Sequence, residues 1–197
     1  MKYILVELNG GLGNQLFQLS NAYALSLQFN RQLLICNKNG AYNRGVYWDN
    51  VLCKFKNYLI SKDKFNKIKI NAKIYNWAMT RYEFKNIILN PDIDYYCIEG
   101  YYQSYKYFDI NIFEKLLTFT CNYEVPCSKS IALHIRRTDY LNHNFHNVLS
   151  IDYYYNCLKK IISTLKLENN ELPKIYIFSD DINWCKKNFK YQNSIIE

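Results

Sequence analysis

Residues 1–36 constrain the fold more than any other part of the chain, because two kinds of apolar pattern follow each other there. The run YILVEL (3–8) predicts a short buried strand, and NGGLG then breaks it. From Asn14 onward apolar residues recur at helical spacing, which makes Asn14 the predicted N-cap of a helix. RQLLIC (31–36) predicts a second strand. A strand, a tight turn, a helix and a strand in this order open a parallel α/β layer.

The rest of the chain predicts more elements of these two kinds. Asp152 is the predicted N-cap of a long amphipathic helix, and Gly100 marks a turn after a strand. The predicted elements are helices near 62–69 and over 109–117, a strand within 95–108, a strand over 130–135, a helix over 152–166, a strand over 174–180 and a helix from Ile182.

We therefore expect an α/β fold of two domains, with Pro126 at their boundary. Residues 1–125 are the predicted N-terminal α/β domain, which contains the glycine turn. Residues 126–197 hold the start of a second α/β domain, whose sheet is predicted to be incomplete. Two such domains form a cleft of the kind in which open α/β sheets bind ligands.

Composition favours a packed protein with an anionic partner. Apolar residues make up 49% of the 197 residues and charged residues 21%, so we expect a buried core and no extensive disorder. The formal net charge of +8 favours nucleic acid, anionic lipid or a phosphorylated small molecule as partner. Because the lysines are scattered and no nucleic-acid motif is found, a solvated positive face explains the charge more simply, and we predict no nucleic-acid partner.

Cysteine spacing and apolar run length bear on the compartment. Seven cysteines without a C-x-x-C pair predict free thiols, and they favour neither a zinc ribbon nor a disulfide framework. A Cys121–Cys127 link is conceivable from spacing alone. Apolar runs stay below the length of about 18 residues that a membrane span needs, and the first run is too short for a signal peptide. We therefore expect a cytoplasmic protein, with at most peripheral contact to a membrane.

The sequence GGLGNQ lies where the first predicted strand meets the first helix. Backbone N–H groups and the positive end of the helix point outward together at such a turn. Gly11 and Gly13 permit close approach of a ligand or of another domain. The dinucleotide fingerprint requires a further glycine where Leu16 stands, and the P-loop lysine is absent. NAD and ATP are therefore disfavoured, and a turn that serves only packing is the alternative interpretation.

The sequence HIRRTDY places two arginines directly after the strand at 130–135. Sites in open α/β sheets lie at the carboxyl ends of strands. Because neighbouring side chains alternate in direction, we expect one of Arg136 and Arg137 to face such a site, and the other to pair with Asp139 or lie on a loop. The planar guanidinium matches two phosphate oxygens at once. A surface ion-pair loop is the alternative.

The sequence FSDD brings two carboxylates to the end of the next core strand. Asp180 or Asp181 can accept hydrogen bonds from a base or a sugar, and Asp181 can cap the following helix. From spacing alone, the capping role of Asp181 is favoured. His143 and His146 lie close enough to the arginines along the chain to be acid–base candidates, although exposed loop histidines usually have no such role.

Four segments in order, GGLGNQLFQ, GYYQSYKYF, HIRRTDY and IYIFSDDINWCKKNF, resemble the α-1,2-fucosyltransferase family, above all its bacterial and viral-type members. The resemblance implies two Rossmann-like halves of GT-B type and transfer of L-fucose from GDP-fucose to the 2-hydroxyl of galactose in a glycan. It also implies inversion at the fucose anomeric carbon, no metal and no cofactor apart from the donor substrate. Family members usually continue for about 80 residues more, so we expect a C-terminally truncated member that self-associates through its incomplete sheet.

The resemblance also implies roles for individual residues. Arg136 and Arg137 would hold the diphosphate, and His134 would belong to the same donor site. Asp180 or Asp181 would approach the guanine. Gly11 and Gly13 of the glycine motif would also contribute to donor binding, and Asn14 matches a residue that faces the reaction centre in related enzymes. Residues 1–125 would form the acceptor side, and residues 126–197 would begin the donor-binding domain.

Inversion requires a group that takes the proton of the acceptor hydroxyl. Asp139, His143 and Asn14 are the candidates for base or water-positioning residue, in that order. Two other functions stay open at this point: a catalytically inactive protein that binds a glycan or a GDP-sugar, and a nucleic-acid binder.

Overall fold

The computed structural model describes residues 1–38, 45–76, 83–118, 130–142, 144, 146–164, 173–192 and 194–196. Two compact units divide the chain, Met1–Cys121 and Asn122–Glu197, which we call the first unit and the second unit. The predicted boundary at Pro126 lies outside the described residues. Each unit has its own parallel sheet and its own core.

The first unit is built on a five-stranded sheet. Its elements are β1 (Tyr3–Val6), α1 (Leu12–Gln28), β2 (Gln32–Asn37), β3 (Leu59–Ser61), α2 (Lys62–Lys69), β4 (Lys73–Asn76), β5 (Tyr95–Glu99) and α3 (Ile110–Glu114). The strands lie in the order β3-β2-β1-β5-β4, and all neighbours are parallel. The segments that follow β1 and β5 therefore leave the sheet side by side at its carboxyl edge.

Helices cover both faces of this sheet because β1 is apolar on both. Successive side chains of a strand point to opposite faces. Ile4 shares a core cluster with Leu19 and Leu25 of α1, whereas Leu5 shares another with Phe65 of α2. These five side chains are almost completely buried. The alternation therefore fixes α1 on one face and α2 on the other.

The second unit is built on a three-stranded sheet with the order β6-β7-β8, parallel throughout. Its elements are β6 (Ser130–Ile135), α4 (Ile151–Thr164), β7 (Lys174–Ser179), α5 (Ile182–Asn188) and β8 (Ser194–Ile196). Ile135 and Ile177 share a core cluster with Leu158 of α4 and Cys185 of α5. Both helices therefore cover the same face of the sheet.

The predicted α/β class is confirmed, and several predicted elements have close to their expected bounds. The helix near 62–69 and the strand over 130–135 coincide with α2 and β6. β1 ends at Val6, two residues before the predicted end, and α3 is shorter than predicted. The sequence pattern does not predict β3, β4 or β8.

Both N-cap predictions for the long helices are wrong. Helix α1 begins at Leu12, because the carbonyl of Gly11 already accepts from the N–H of Gln15 at 3.0 Å. Asn14 therefore lies inside the first turn. Helix α4 begins before Asp152, and the Ser150 hydroxyl accepts from the N–H of Tyr153 at 3.3 Å. The Ser150 hydroxyl, just before the helix, therefore makes the capping hydrogen bond that the sequence pattern assigned to the Asp152 carboxylate.

Two further properties were expected from composition. The described cysteines are free thiols, namely Cys36, Cys53, Cys97, Cys157 and Cys185. Cys121 and Cys127 lie outside the described residues. Within the described ranges, every helix is too short or too polar to traverse a bilayer.

Candidate functional site

Two loops meet at the carboxyl edge of the second unit's sheet. Ile135 at the end of β6 lies opposite Ser179 at the end of β7, so the arginine and aspartate segments emerge side by side. The Ser179 hydroxyl donates to the carbonyl of Ile135 at 2.7 Å and accepts from the N–H of Asp181 at 3.0 Å. These two hydrogen bonds join the end of β6 to the start of the loop that follows β7.

Asp180 joins the two loops. Its carboxylate accepts from the N–H of Arg137 at 2.8 Å and from the Thr138 hydroxyl at 2.6 Å, and it lies 3.2 Å from Nε of Arg136. Burial by itself raises the pKa of Asp180, but the bonds from Thr138 and Arg137 and the charge of Arg136 outweigh it. The pKa therefore lies below its ordinary value.

Arg136 is held by a carboxylate of its own loop. Its Nε and Nη2 donate to the two oxygens of Asp139 at 2.8 and 2.6 Å. This bidentate hydrogen bond is the main reason why the pKa of Arg136 is raised. The guanidinium also lies over the Tyr140 ring, at 5.6 Å from its centre. One edge of Arg136 is thus engaged, which matches the predicted pairing of one arginine with Asp139.

Arg137 is held by its face and by one edge. Its guanidinium carbon lies 3.8 Å from the centre of the Trp184 ring, a cation–π contact. Its Nε lies 3.4 Å from Oδ2 of Asp181. The other oxygen of Asp181 accepts from the N–H of Trp184 at 3.1 Å and caps α5, as the spacing predicted. Arg137 is therefore the more enclosed arginine, with 14% of its side chain exposed against 35% for Arg136.

This arrangement provides fixed cations at the edge where open α/β sheets bind ligands. Among the described residues, the terminal nitrogens of Arg137 have no hydrogen-bond partner, so they are available to an anion. Within the same part of the chain, no three histidine, cysteine or acidic residues form a group that could hold a metal ion.

The histidines have three different placements. His134 lies on the exposed face of β6, opposite Phe178 of β7, because its neighbour Ile135 points into the core. His143 lies outside the described residues. His146 is exposed and stacks on Tyr140, with 4.5 Å between ring centres. Tyr140 therefore links His146 to the arginine loop.

The glycine turn of the first unit lies between β1 and α1. Gly11 has ordinary extended backbone, and a Cβ at Gly13 would meet no atom within 4 Å. The conformationally demanding residue is Gly10, with φ of +79° and a position for Cβ only 2.7 Å from Nδ2 of Asn14. Asn14 in turn accepts from Nε2 of Gln103 at 2.7 Å. This turn belongs to a different unit from the arginine loop.

Sequence reasoning missed Thr138, Trp184 and Gln103 as members of these clusters. Thr138 and Trp184 stand inside segments that carry the family resemblance, but only the folded loops show what they touch. Gln103 follows Tyr102, a non-glycine residue with φ of 51°. Positive φ at such a residue leaves no clear signal in one sequence.

The fold places the chain among known proteins. Its structure is similar to the crystal structure of fucosyltransferase NodZ from Bradyrhizobium, with a TM-score of 0.59 over 98% of this chain and 78% of that chain at 11% identity. NodZ alpha-1,6-fucosyltransferase co-crystallized with GDP gives a TM-score of 0.57, again at 11% identity, over 98% of this chain and 77% of that one. The chain thus has the parallel α/β fold of these transferases.

Sequence comparison then gives the family. The model of glycosyl transferase family 11 matches residues 2–196, and the chain belongs to that family. An alpha-1,2-colitosyltransferase of Escherichia coli is 28% identical over 99% of this chain and 73% of its own length. The O-antigen biosynthesis glycosyltransferase WbnK of Escherichia coli is 26% identical over 94% of this chain and 75% of its own length.

Proposed function

We propose that the chain transfers L-fucose from GDP-fucose to the 2-hydroxyl of a galactose in a glycan, with inversion and without a metal. The observation that carries the proposal is the pair of oriented guanidinium groups, Arg136 and Arg137, at the carboxyl edge of the second unit. Membership of family 11 supports glycosyl transfer. The NodZ structures with GDP and GDP-fucose support a guanine nucleotide donor. The proposal includes two Rossmann-like halves of GT-B type.

The arginines serve the step in which the bond between sugar and phosphate breaks. Negative charge then grows on the β-phosphate while the sugar becomes oxocarbenium-like. Donors that are oriented beforehand stabilise this charge without reorganising, and such stabilisation is usually the largest catalytic contribution. Arg137 offers its terminal nitrogens to the diphosphate, and Arg136 offers the edge that Asp139 does not use. Asp180 contacts the backbone N–H of Arg137 and Nε of Arg136, so it positions the two arginines relative to each other. The proposed contact of Asp180 or Asp181 with guanine uses the remaining oxygen lone pairs of these carboxylates.

The hydrogen bonds of Asp139 bear on whether it is the proton acceptor. Both oxygens of Asp139 accept from Arg136, which supports an orienting role for this carboxylate. We propose His143, the next candidate that the family resemblance gives, as the base, and Asn14 as a residue that orients the acceptor. His134, one residue before the strand end, is proposed to border the donor.

The test measures transfer of labelled fucose from GDP-fucose to N-acetyllactosamine in the presence of EDTA. Arg136→Ala and Arg137→Ala should each lower turnover by about 10²–10³, as the loss of a charge-stabilising donor does elsewhere. Lys187→Ala removes an exposed positive charge from α5 of the same unit and should leave turnover unchanged. Wild-type turnover in both arginine variants would refute the role of the pair, and NMR of the product would show whether its anomeric configuration is inverted.

The colitosyltransferase relative favours colitose as a second candidate sugar. The same assay with nucleotide-activated colitose decides between the two sugars by the ratio of their kcat/KM values. GDP binding by calorimetry without transfer of either sugar would favour the inactive binding protein.

A further inference from the structure

A pair of amide side chains lies at the carboxyl edge of the first unit's sheet. Val6 at the end of β1 lies opposite Ile98 near the end of β5, so the segments after these strands are neighbours. Nε2 of Gln103, from the segment after β5, donates to Oδ1 of Asn14, in the first turn of α1, at 2.7 Å. This hydrogen bond joins the two segments.

Backbone with positive φ lies on both sides of the pair; it is strained at Tyr102, whereas at Gly10 it is accessible because glycine has no Cβ. Tyr102 has φ of 51° although it is a bulky residue, and its side chain is fully buried with its hydroxyl donating to the carbonyl of Tyr75 at 3.2 Å. Packing thus enforces the backbone that aims Gln103 at Asn14. On the other side Gly10, with φ of +79°, lets the Asn14 amide approach where a Cβ would lie 2.7 Å from Nδ2. Backbone strain that packing enforces clusters at functional sites.

The pair keeps unused hydrogen-bonding capacity. Among the described residues, Nδ2 of Asn14 donates to no partner and Oε1 of Gln103 accepts from none, and both side chains are half-buried. Gln15, in the same turn, is completely buried, and its Oε1 has no partner in the described part of the chain. The half-buried pair therefore offers one amide donor, Nδ2 of Asn14, beside one amide acceptor, Oε1 of Gln103.

This combination selects one class of ligand. A hydroxyl donates one hydrogen bond and accepts others, so it satisfies an amide N–H and an amide oxygen together. A phosphate or carboxylate only accepts and would leave the amide oxygens unpaired.

We propose that Gln103 binds a hydroxyl group of the carbohydrate acceptor and also orients Asn14. The proposal rests on the proposed glycosyl transfer, and it adds Gln103 to the acceptor side that the family resemblance implies for the first unit. Donor binding should then be independent of this pair.

The kinetic test uses Gln103→Leu, a change of similar size. Loss of one hydrogen bond at a paired polar site should raise KM for N-acetyllactosamine by about tenfold. KM for GDP-fucose and the Kd for GDP should stay within about twofold of wild type. Gln32→Leu is the matched control, because Gln32 is exposed at the amino end of β2, on the opposite edge of the same sheet. An unchanged acceptor KM, or an equal loss of GDP affinity, would overturn the proposal.

A binding test works without turnover. The side-chain amide signal of Gln103 in a ¹H–¹⁵N NMR spectrum is assigned by its absence in Gln103→Leu. We expect this signal to shift on addition of N-acetyllactosamine and to stay in place on addition of GDP. A signal that ignores the disaccharide, or that follows GDP, would overturn the pair as an acceptor site. Absence of transfer by wild-type protein would instead count against the proposed function alone.

Discussion

At the scale of single residues, Arg137 shows how a flexible cation is fixed before a ligand arrives. The Trp184 ring covers one face of its guanidinium, and Asp181 holds the Nε edge. A long side chain that is already ordered loses less entropy when it binds an anion. Under the proposed function, Trp184 would be a positioning residue that acts on the diphosphate through Arg137.

Replacing Trp184 tests this role. Trp184→Leu should raise the Kd for GDP about fivefold to tenfold, because a partly desolvated cation–π contact contributes about 1 kcal/mol or slightly more. Trp184→Phe keeps an aromatic face and should recover part of the loss. Isothermal titration calorimetry at constant ionic strength measures both. A leucine variant with wild-type affinity and wild-type thermal stability would contradict the role.

The sequence predicts which residues meet at this edge, but it does not predict their partners. Two strand ends with polar residues suffice to bring Arg136, Arg137, Asp180 and Asp181 together, because parallel strands end at a common edge. Which oxygen meets which nitrogen depends on loop backbone, such as the φ of −138° and ψ of −63° at Arg137. One sequence contains no pattern for these angles.

At the scale of elements, Asp180 makes the ends of β6 and β7 one structural piece. We expect Asp180→Asn to lower the free energy of unfolding by about 1–2 kcal/mol near neutral pH, since bonds to a charged acceptor are lost. Because the pKa of Asp180 is lowered from 3.8, its contribution is present above that value and disappears as pH falls through the lower folded pKa.

The difference between wild type and Asp180→Asn should therefore shrink below about pH 4 in urea unfolding series. Asp92→Asn alters an exposed carboxylate of the first unit and should show little difference at any pH. A difference for Asp180→Asn that stays constant over this range would show that its charge does not stabilise the loops.

The start of α1 gives a matched pair of glycine substitutions. Gly10→Ala should destabilise the protein by about 1–2 kcal/mol, because its φ of +79° is unfavourable for alanine and its Cβ would lie 2.7 Å from Nδ2 of Asn14. Gly13→Ala lies inside the helix with free space and should stabilise it by about 0.5–1 kcal/mol. Thermal unfolding measures both changes. Equal effects of the two substitutions would contradict this account of the turn.

Elements differ in how well the sequence predicts them. The helical spacing of apolar residues in α1 is visible because one face of the helix is buried along its length, and the apolar run of β2 is visible because its four central residues are buried. β3 and β8 have three residues each and β4 has four, and all three lie at sheet edges where burial is partial. Too few residues carry a pattern there to separate a strand from a loop.

At the scale of the whole molecule, the parallel α/β class follows from strands that alternate with helices, and this much was predictable. Strand order was not predictable, because the position of β5 between β1 and β4 depends on packing between residues that lie far apart in the sequence.

The net charge does not predict the site either. The net charge of +8 suggests an anionic partner, yet the two loops that meet at this edge together contain two arginines and three aspartates. Orientation of the arginines, rather than total charge, distinguishes this edge.

The sequence separation of paired strands differs between the two units. In the first unit Tyr3 must find Tyr95 before the sheet is complete, whereas in the second unit Ser130 pairs with Lys174 and Ile175 with Ser194. Closing a longer loop costs more entropy, and parallel pairing over long separations is slow. The strands of the second unit therefore close shorter loops when they pair, and each doubling of loop length adds about 0.6 kcal/mol to the entropic cost for the first unit.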